Sequence, residues 1–180
     1  MTYLCTCNKD KFNEFRDLSA QADIELIGVW RDLEEIDADP LTVIVHKASQ
    51  VDEGVLVEDT SLDILGANVG IHIRWALDNL NEYTTKKAVW TVLIAQRKGD
   101  TVYVYRGQVS GTIVSPKGVG FGFDPYFLPD GSTTTLAEAK PQRLNARAIA
   151  FQAYLDRDPF AEMPPITEWN GAWQKSFEKV

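Results

Sequence analysis

At 180 residues, with 44% hydrophobic and 11% aromatic content, the chain can bury a real core as one domain, which excludes disorder as the default state. A formal net charge of -8 leaves no basic stripe for a nucleic-acid backbone, so nucleic acid is excluded as the partner, although a few placed cations can still bind a small anion. No apolar stretch approaches the roughly 18 residues that span a bilayer, and MTYLCTCNKD lacks the order of a signal peptide. A soluble, cytoplasmic chain with no membrane partner is therefore expected.

Tyr3 to Thr6 is a brief apolar run, followed by Asn8 as an N-cap and by Phe12, Phe15 and Leu18 at a spacing of three. This predicts strand, tight turn and helix, with backbone N–H groups aimed outward at the turn. IELIGVW, residues 24 to 30, predicts a second strand. RDLEEIDADP then crowds Asp32, Glu34, Glu35, Asp37 and Asp39 ahead of Pro40, a composition that by itself makes a solvated loop. Leu41, Ile44, Val45, Ala48 and Val51 mark one face of a helix, with Lys47 off that face. VLVE predicts a buried strand ending in Glu58 and Asp59. Charges beside an apolar core are costly, and such a pair most simply makes a turn or a helix cap. GANVG leads into a helix carrying Ile71, Trp75 and Leu80.

AVWTVLIAQ and TVYVYRGQ flank the turn signal Lys98-Gly99-Asp100, which predicts a hairpin. GVGFGFDPYFLPDG is too glycine-rich for a regular element and too aromatic for an idle linker, so it reads as a structured loop. Leu144, Ala148, Phe151 and Leu155 mark a further helix, with Arg143 and Arg147 on a neighbouring face. Beyond Pro159, Trp169, Trp173 and Phe177 recur every four residues, a stripe for packing on the chain's own body or on a dimer partner. Cys5 and Cys7 are too close in sequence to staple the fold and read as ordinary thiols; His46 and His72 lack partners at metal-ligand spacing.

Separate segments thus offer the parts of a metal and triphosphate site. A helix N-terminus brings Thr6, Asn8 and Lys11, acids stand at Glu35, Glu58 and Asp59, and cations at Lys47 and Arg147. Helix N-termini bind anions through unpaired N–H groups. Magnesium takes one or two carboxylates together with water and substrate phosphate. TCNKDKFNEF, GVLVEDTSL, RGQVSGTIVSPKG and FGFDPYFLPDGSTTTLAE follow one another in an order that resembles the inosine triphosphate pyrophosphatase family, also called the Ham1 or RdgB family. The resemblance covers most of residues 2 to 155.

The resemblance implies hydrolysis of unusual purine nucleoside triphosphates to monophosphate and pyrophosphate. It implies that Thr6, Asn8, Lys11, Lys47 and Arg147 hold the phosphates, Arg147 being kept from the family's S-H-R motif, here Asn145-Ala146-Arg147. Glu35 and Glu58 then serve Mg²⁺ together with Asp59, which also positions or deprotonates the attacking water, so that Asp59 and Lys11 carry the catalysis. Phe123 fills the aromatic slot where the base stacks, Asp124 follows it toward the base edge, and Asn145 completes the base set. Cys7 stands where the family has glycine, Ala146 where it has a purine-facing histidine, and the upstream lysine falls to Lys140 or Arg143.

The expected fold is α/β, a mixed central β-sheet flanked by helices in an elongated two-lobed single domain with a cleft. A pyrophosphatase domain at 1–157 is followed by the aromatic tail at 158–180. The family resemblance implies a homodimer. Two other functions stay open: a pyrophosphatase for a pyrimidine or modified nucleotide, suggested by Ala146, and a non-catalytic nucleotide-binding sensor.

Overall fold

The computed structural model describes residues 1–174, the side chain of Trp75 excepted, so Phe177 lies outside the described residues. Strand β1 (Thr2–Thr6) leads into helix α1 (Lys9–Gln21), strand β2 (Leu26–Trp30) and helix α2 (Pro40–Ser49). Strand β3 (Leu56–Ile64), the short helix α3 (Ile73–Ala76) and a 3₁₀ helix (Leu77–Tyr83) follow. The long strands β4 (Lys87–Lys98) and β5 (Thr101–Ile113) are neighbours in the sheet and meet at Gly99-Asp100. A 3₁₀ turn (Asp124–Tyr126), strand β6 (Phe127–Pro129), a second such turn (Gln142–Leu144), helix α4 (Ala146–Leu155) and strand β7 (Ala161–Met163) complete the order. The strands form one mixed sheet, ordered β2-β1-β3-β4-β5-β6, with β7 also on β5.

Local chemistry explains the elements that frame the site. Asn8 caps α1, its Oδ1 accepting from the Lys11 N–H at 3.0 Å. Asp39 caps α2 through the Thr42 N–H at 3.1 Å, and Pro40 occupies the first helical position, where its missing N–H costs nothing. α2 is buried on more than the single face its spacing suggests, since Val43 and His46 join Ile44, Val45 and Ala48 inside.

The chain forms two compact units: Met1–Asp59, Leu93–Arg106 and the described residues from Ala150 onward make the first, Thr60–Val92 and Gly107–Ile149 the second. Ile44, Val45, Val57, Leu93 and Val104 are at the centre of the first unit's core. Trp90, Phe127, Leu62, Leu80 and Ile113 are fully buried in the second. Among the described residues no helix is long and apolar enough to cross a membrane.

Four expectations need correcting. The strand holding Glu58 and Asp59 does not end there but runs on to Ile64, because Thr60, Ser61 and Leu62 are also buried. The helix after GANVG is a single α turn continued as 3₁₀, so Ile71 lies before it. The loop around Phe123 contains a regular strand, β6, which pairs antiparallel with β5 from Gly111 to Ile113. Leu144 belongs to a 3₁₀ turn rather than to α4.

Candidate active site

β1 pairs in parallel with β2 on one side and with β3 on the other. The chain therefore reverses direction across the sheet at β1, and ligands in such sheets sit outside the carboxyl ends of the strands at that switch point. Right-handed crossovers leaving in opposite directions place α1 and α2 on opposite faces. Adjacent residues of a strand also point to opposite faces, so Glu58 and Asp59 on β3 address different helices. Glu58 Oε1 meets Lys11 Nζ of α1 at 2.9 Å, and Asp59 Oδ1 faces Lys47 Nζ of α2 at 3.7 Å.

Lys47 is the hub of this cluster. Its ammonium donates to the Glu58 carbonyl at 2.8 Å and pairs with Glu35 Oε1 at 3.2 Å. Of the crowded acids between β2 and α2, Glu35 is thus the one on the lysine, while the neighbouring Leu33 and Ile36 are buried. The acidic segment is therefore anchored rather than a solvated loop. Lys47 is 12% exposed and Asp59 13%, so the charges interact through a poorly hydrated medium. Burial pushes the Asp59 carboxyl up to about 7, Glu35 and Glu58 push the same way, and the Lys47 and Lys11 ammoniums oppose them. Lys47 itself is held above the usual lysine range by the attraction of Asp59, Glu35 and Glu58, which overcomes its own desolvation.

At the turn before α1, Thr6 Oγ1 accepts from the Asn8 N–H at 3.1 Å and Asn8 Oδ1 is the helix cap. Both oxygens shape the turn, and the Asn8 cap takes up the Lys11 N–H. Cys7 is exposed between them.

Among the described residues, no three His, Cys, Asp or Glu side chains are grouped to hold a metal ion by themselves. Of the three expected carboxylates, Glu58 is engaged by Lys11, and Glu35 and Asp59 share Lys47, because close carboxylates repel unless cations separate them. The donor chemistry still suits a hard divalent ion. Within the cluster three carboxylates face two ammoniums, leaving a negative charge in excess, and Glu35 and Asp59 supply the one or two protein oxygens that magnesium takes alongside water and phosphate.

The second unit holds a different cluster. Lys140 Nζ pairs with Asp124 Oδ2 at 2.6 Å and stands 4.8 Å from the Phe121 ring centre. The Arg147 guanidinium lies 5.2 Å from the same ring and 5.3 Å from that of Trp90, and its Nη2 donates to Thr60 Oγ1 at 3.2 Å. Phe123 is corrected here. It is 5% exposed and stands edge-on to Trp90 and Phe127 in the core, while Phe121 keeps part of its ring accessible. Gly122, with φ of +61°, turns the backbone between the two phenylalanines. Asn145 is also reassigned, since its Oδ1 caps α4 through the N–H groups of Arg147 at 2.9 Å and Ala148 at 3.3 Å. Of the two candidates for the upstream cation, Lys140 is in the cluster and Arg143 is exposed.

Five of the expected residues, Lys11, Glu35, Lys47, Glu58 and Asp59, thus meet in the first unit, and Asp124 and Arg147 join Lys140, Phe121 and Trp90 in the second. Phe121 and Trp90 were missed because one sits in a glycine-rich segment and the other in a uniformly apolar strand. The F-G-F spacing held the signal for Phe121, and nothing in sequence singled out Trp90.

The fold is that of an α/β protein with a cluster of acids and ammoniums at a switch point of its sheet. The model described as the Ham1 family matches residues 2–157, and the chain belongs to that family. An inosine triphosphate pyrophosphatase of Batrachochytrium dendrobatidis is 32% identical over 165 residues, covering 82% of this chain and 87% of that protein. Another of that name, from Yarrowia lipolytica, is 32% identical over 166 residues, covering 82% and 88%. Among solved structures, the Staphylococcus aureus Ham1 protein superposes with a TM-score of 0.66 at 22% identity, covering 88% of this chain and 100% of that one. A nucleoside-triphosphatase, or dITP/XTP pyrophosphatase, of Mycobacterium abscessus gives 0.54 at 20% identity, covering 87% and 95%. At these identities the structural likeness concerns the fold.

Proposed function

We propose that this nucleoside triphosphate pyrophosphatase of the Ham1 family uses Mg²⁺ to hydrolyse a non-standard purine nucleoside triphosphate, of the (d)ITP or XTP kind, to monophosphate and pyrophosphate. The observation that carries the reading is the meeting of Lys11, Glu35, Lys47, Glu58 and Asp59, drawn from α1, the acidic segment, α2 and β3, where β3 passes the carboxyl end of β1. Relatives named for inosine triphosphate supply the substrate class.

Glu35 and Asp59 would hold the ion, which when bound supplies Lewis-acid stabilisation of the phosphoryl oxygens. The N–H groups at the start of α1 and the ammoniums of Lys11 and Lys47 bind the phosphates and stabilise charge gathering on the pyrophosphate leaving group. Lys47 keeps its proton throughout, since its carboxylate neighbours raise its proton affinity. The Asp59 carboxylate would direct the attacking water at the α-phosphorus and accept its proton. In the second unit, Phe121 offers the ring on which a base stacks, and Lys140 and Arg147 offer donors to carbonyl oxygens at its edge. The enzyme works in the cytoplasm as a homodimer, as the family resemblance implies.

One observation favours a second reading. Ala146 is fully buried where the family resemblance puts a purine-facing histidine, which suits a pyrimidine or modified base. Pyrophosphate release measured across standard, deaminated and modified triphosphates, with and without Mg²⁺, decides between them. Preference for ITP or XTP supports the first reading, preference for a pyrimidine supports the second, and tight binding without any release would replace both with a sensor.

A further inference from the structure

The residues after 157 lie beyond the matched family stretch, yet several of them reach the active-site cluster's least regular support. β7 pairs with β5 through Val102 to Val104, and the Ile166 N–H donates to Ser49 Oγ at the end of α2 at 2.9 Å. The chain then meets the acidic segment between β2 and α2. The Asp37 N–H donates to the Ala172 carbonyl at 3.0 Å, and the Gln174 N–H donates to the Glu35 carbonyl at 3.0 Å. Ile36 and Trp173 form an antiparallel bridge, Gln174 Nε2 donates to the Ile36 carbonyl at 3.2 Å, and the Trp173 ring stands edge-on to His46 at 5.5 Å.

These bonds bracket Ile36 and begin at the carbonyl of Glu35. The segment between β2 and α2 has no helix or strand of its own, and here the terminal segment pairs with its backbone from the carbonyl of Glu35, the residue whose carboxylate sits on Lys47, to the Asp37 N–H. Beyond the tail, the segment is held by the burial of Leu33 and Ile36 and by Gln50 Nε2 donating to the Glu34 carbonyl at 3.2 Å.

We propose that Ala172–Gln174 is a positioning element for the reaction, fixing the backbone around Glu35 so that its carboxylate is preset for the metal and triphosphate. The inference rests on the functional reading that places Glu35 in the site. Trp173 and Gln174 touch no reacting atom and act through Glu35.

The test uses full-length variants. Gln174→Pro removes the N–H that binds the Glu35 carbonyl. Trp173→Ala removes the contact on His46, and Gln174→Ala keeps the backbone donor as a control. Amide exchange is followed over residues 33 to 37, and the Mg²⁺ concentration for half-maximal pyrophosphate release is measured beside the nucleotide KM. In Gln174→Pro and Trp173→Ala, exchange in that stretch rises and the Mg²⁺ midpoint increases about tenfold, with most of kcat restored at saturating Mg²⁺. Gln174→Ala, which keeps the backbone donor and loses the side-chain bond to the Ile36 carbonyl, raises the midpoint less than Gln174→Pro does, and in a Glu35→Gln background Gln174→Pro adds less than about twofold, because both changes act through one carboxylate. Unchanged exchange and midpoint in Gln174→Pro and Trp173→Ala would overturn the proposal, and so would a fall in melting temperature and kcat with an unmoved midpoint. If the unaltered enzyme released no pyrophosphate, the functional reading would fail, whereas exchange would still report whether the tail holds the segment.

Discussion

The cluster around Lys47 and the cluster around Phe121 solve opposite physical problems. In the first unit, carboxylates stand beside apolar strand residues, and the fold tolerates them by interleaving ammoniums from two helices. In the second, cations are placed against aromatic rings, where ring electron density and Asp124 offset the charge. The first leaves an excess of negative charge that a divalent ion with polyphosphate can use. The second sets the cations Lys140 and Arg147 against the half-buried Phe121 ring. One arrangement suits phosphoryl chemistry and the other recognition, so substitutions in the two should fail in different ways.

The largest effects are expected from removing the hub of the first cluster or the core ring beneath the second. Lys47→Met leaves carboxylates without their counter-ion and should cost roughly 3 to 5 kcal/mol of stability, and Phe123→Ala should cost a similar amount by opening a core cavity. Urea unfolding of both variants checks this; a stable Phe123→Ala with weakened nucleotide binding would return Phe123 to the base site.

Asp59→Asn comes next. Turnover should drop on the order of a hundredfold or more, about 2.7 kcal/mol of barrier, while the metal-free protein becomes no less stable. The sign follows from the raised proton affinity. Between about 4 and 7 the folded chain holds a proton on Asp59 that the unfolded chain has released, so stability falls as pH rises through that window. Melting of metal-free enzyme and Asp59→Asn across pH 4 to 8 should show a slope in the former that flattens in the latter; parallel curves would remove Asp59 from its shielded position. The smallest effect belongs to the accessible ring: Phe121→Ala should weaken nucleotide binding by about 1 to 3 kcal/mol and leave the melting temperature nearly unchanged, which calorimetry can separate from the Phe123 result.

The contrast also explains what could be read beforehand. Lys11, Lys47, Glu58 and Asp59 sit on regular elements whose periodicity fixes their direction, and the capping residues Asn8 and Asp39 mark where two of those elements begin. Consecutive acids imitate a turn, so the sequence pattern alone ends β3 too early; only the lysines facing them from α1 and α2 make a continued strand tolerable. In the second unit the roles of Phe121 and Phe123 depend on the left-handed Gly122 between them, and alternation in a loop carries no rule for which ring turns inward. Glu35 stood among equivalent acids, and burial of Ile36 beside it, with the tail's backbone bonds, is a tertiary fact that local pattern does not encode.

The most direct test of the phosphate-site assignment is hydrolysis of inosine triphosphate in ¹⁸O-labelled water with Mg²⁺, followed by ³¹P NMR. Water directed from the Lys47 and Asp59 cluster onto the α-phosphorus puts the label in the monophosphate and none in the pyrophosphate. Label in pyrophosphate, or release of inorganic phosphate with a nucleoside diphosphate, would contradict that assignment.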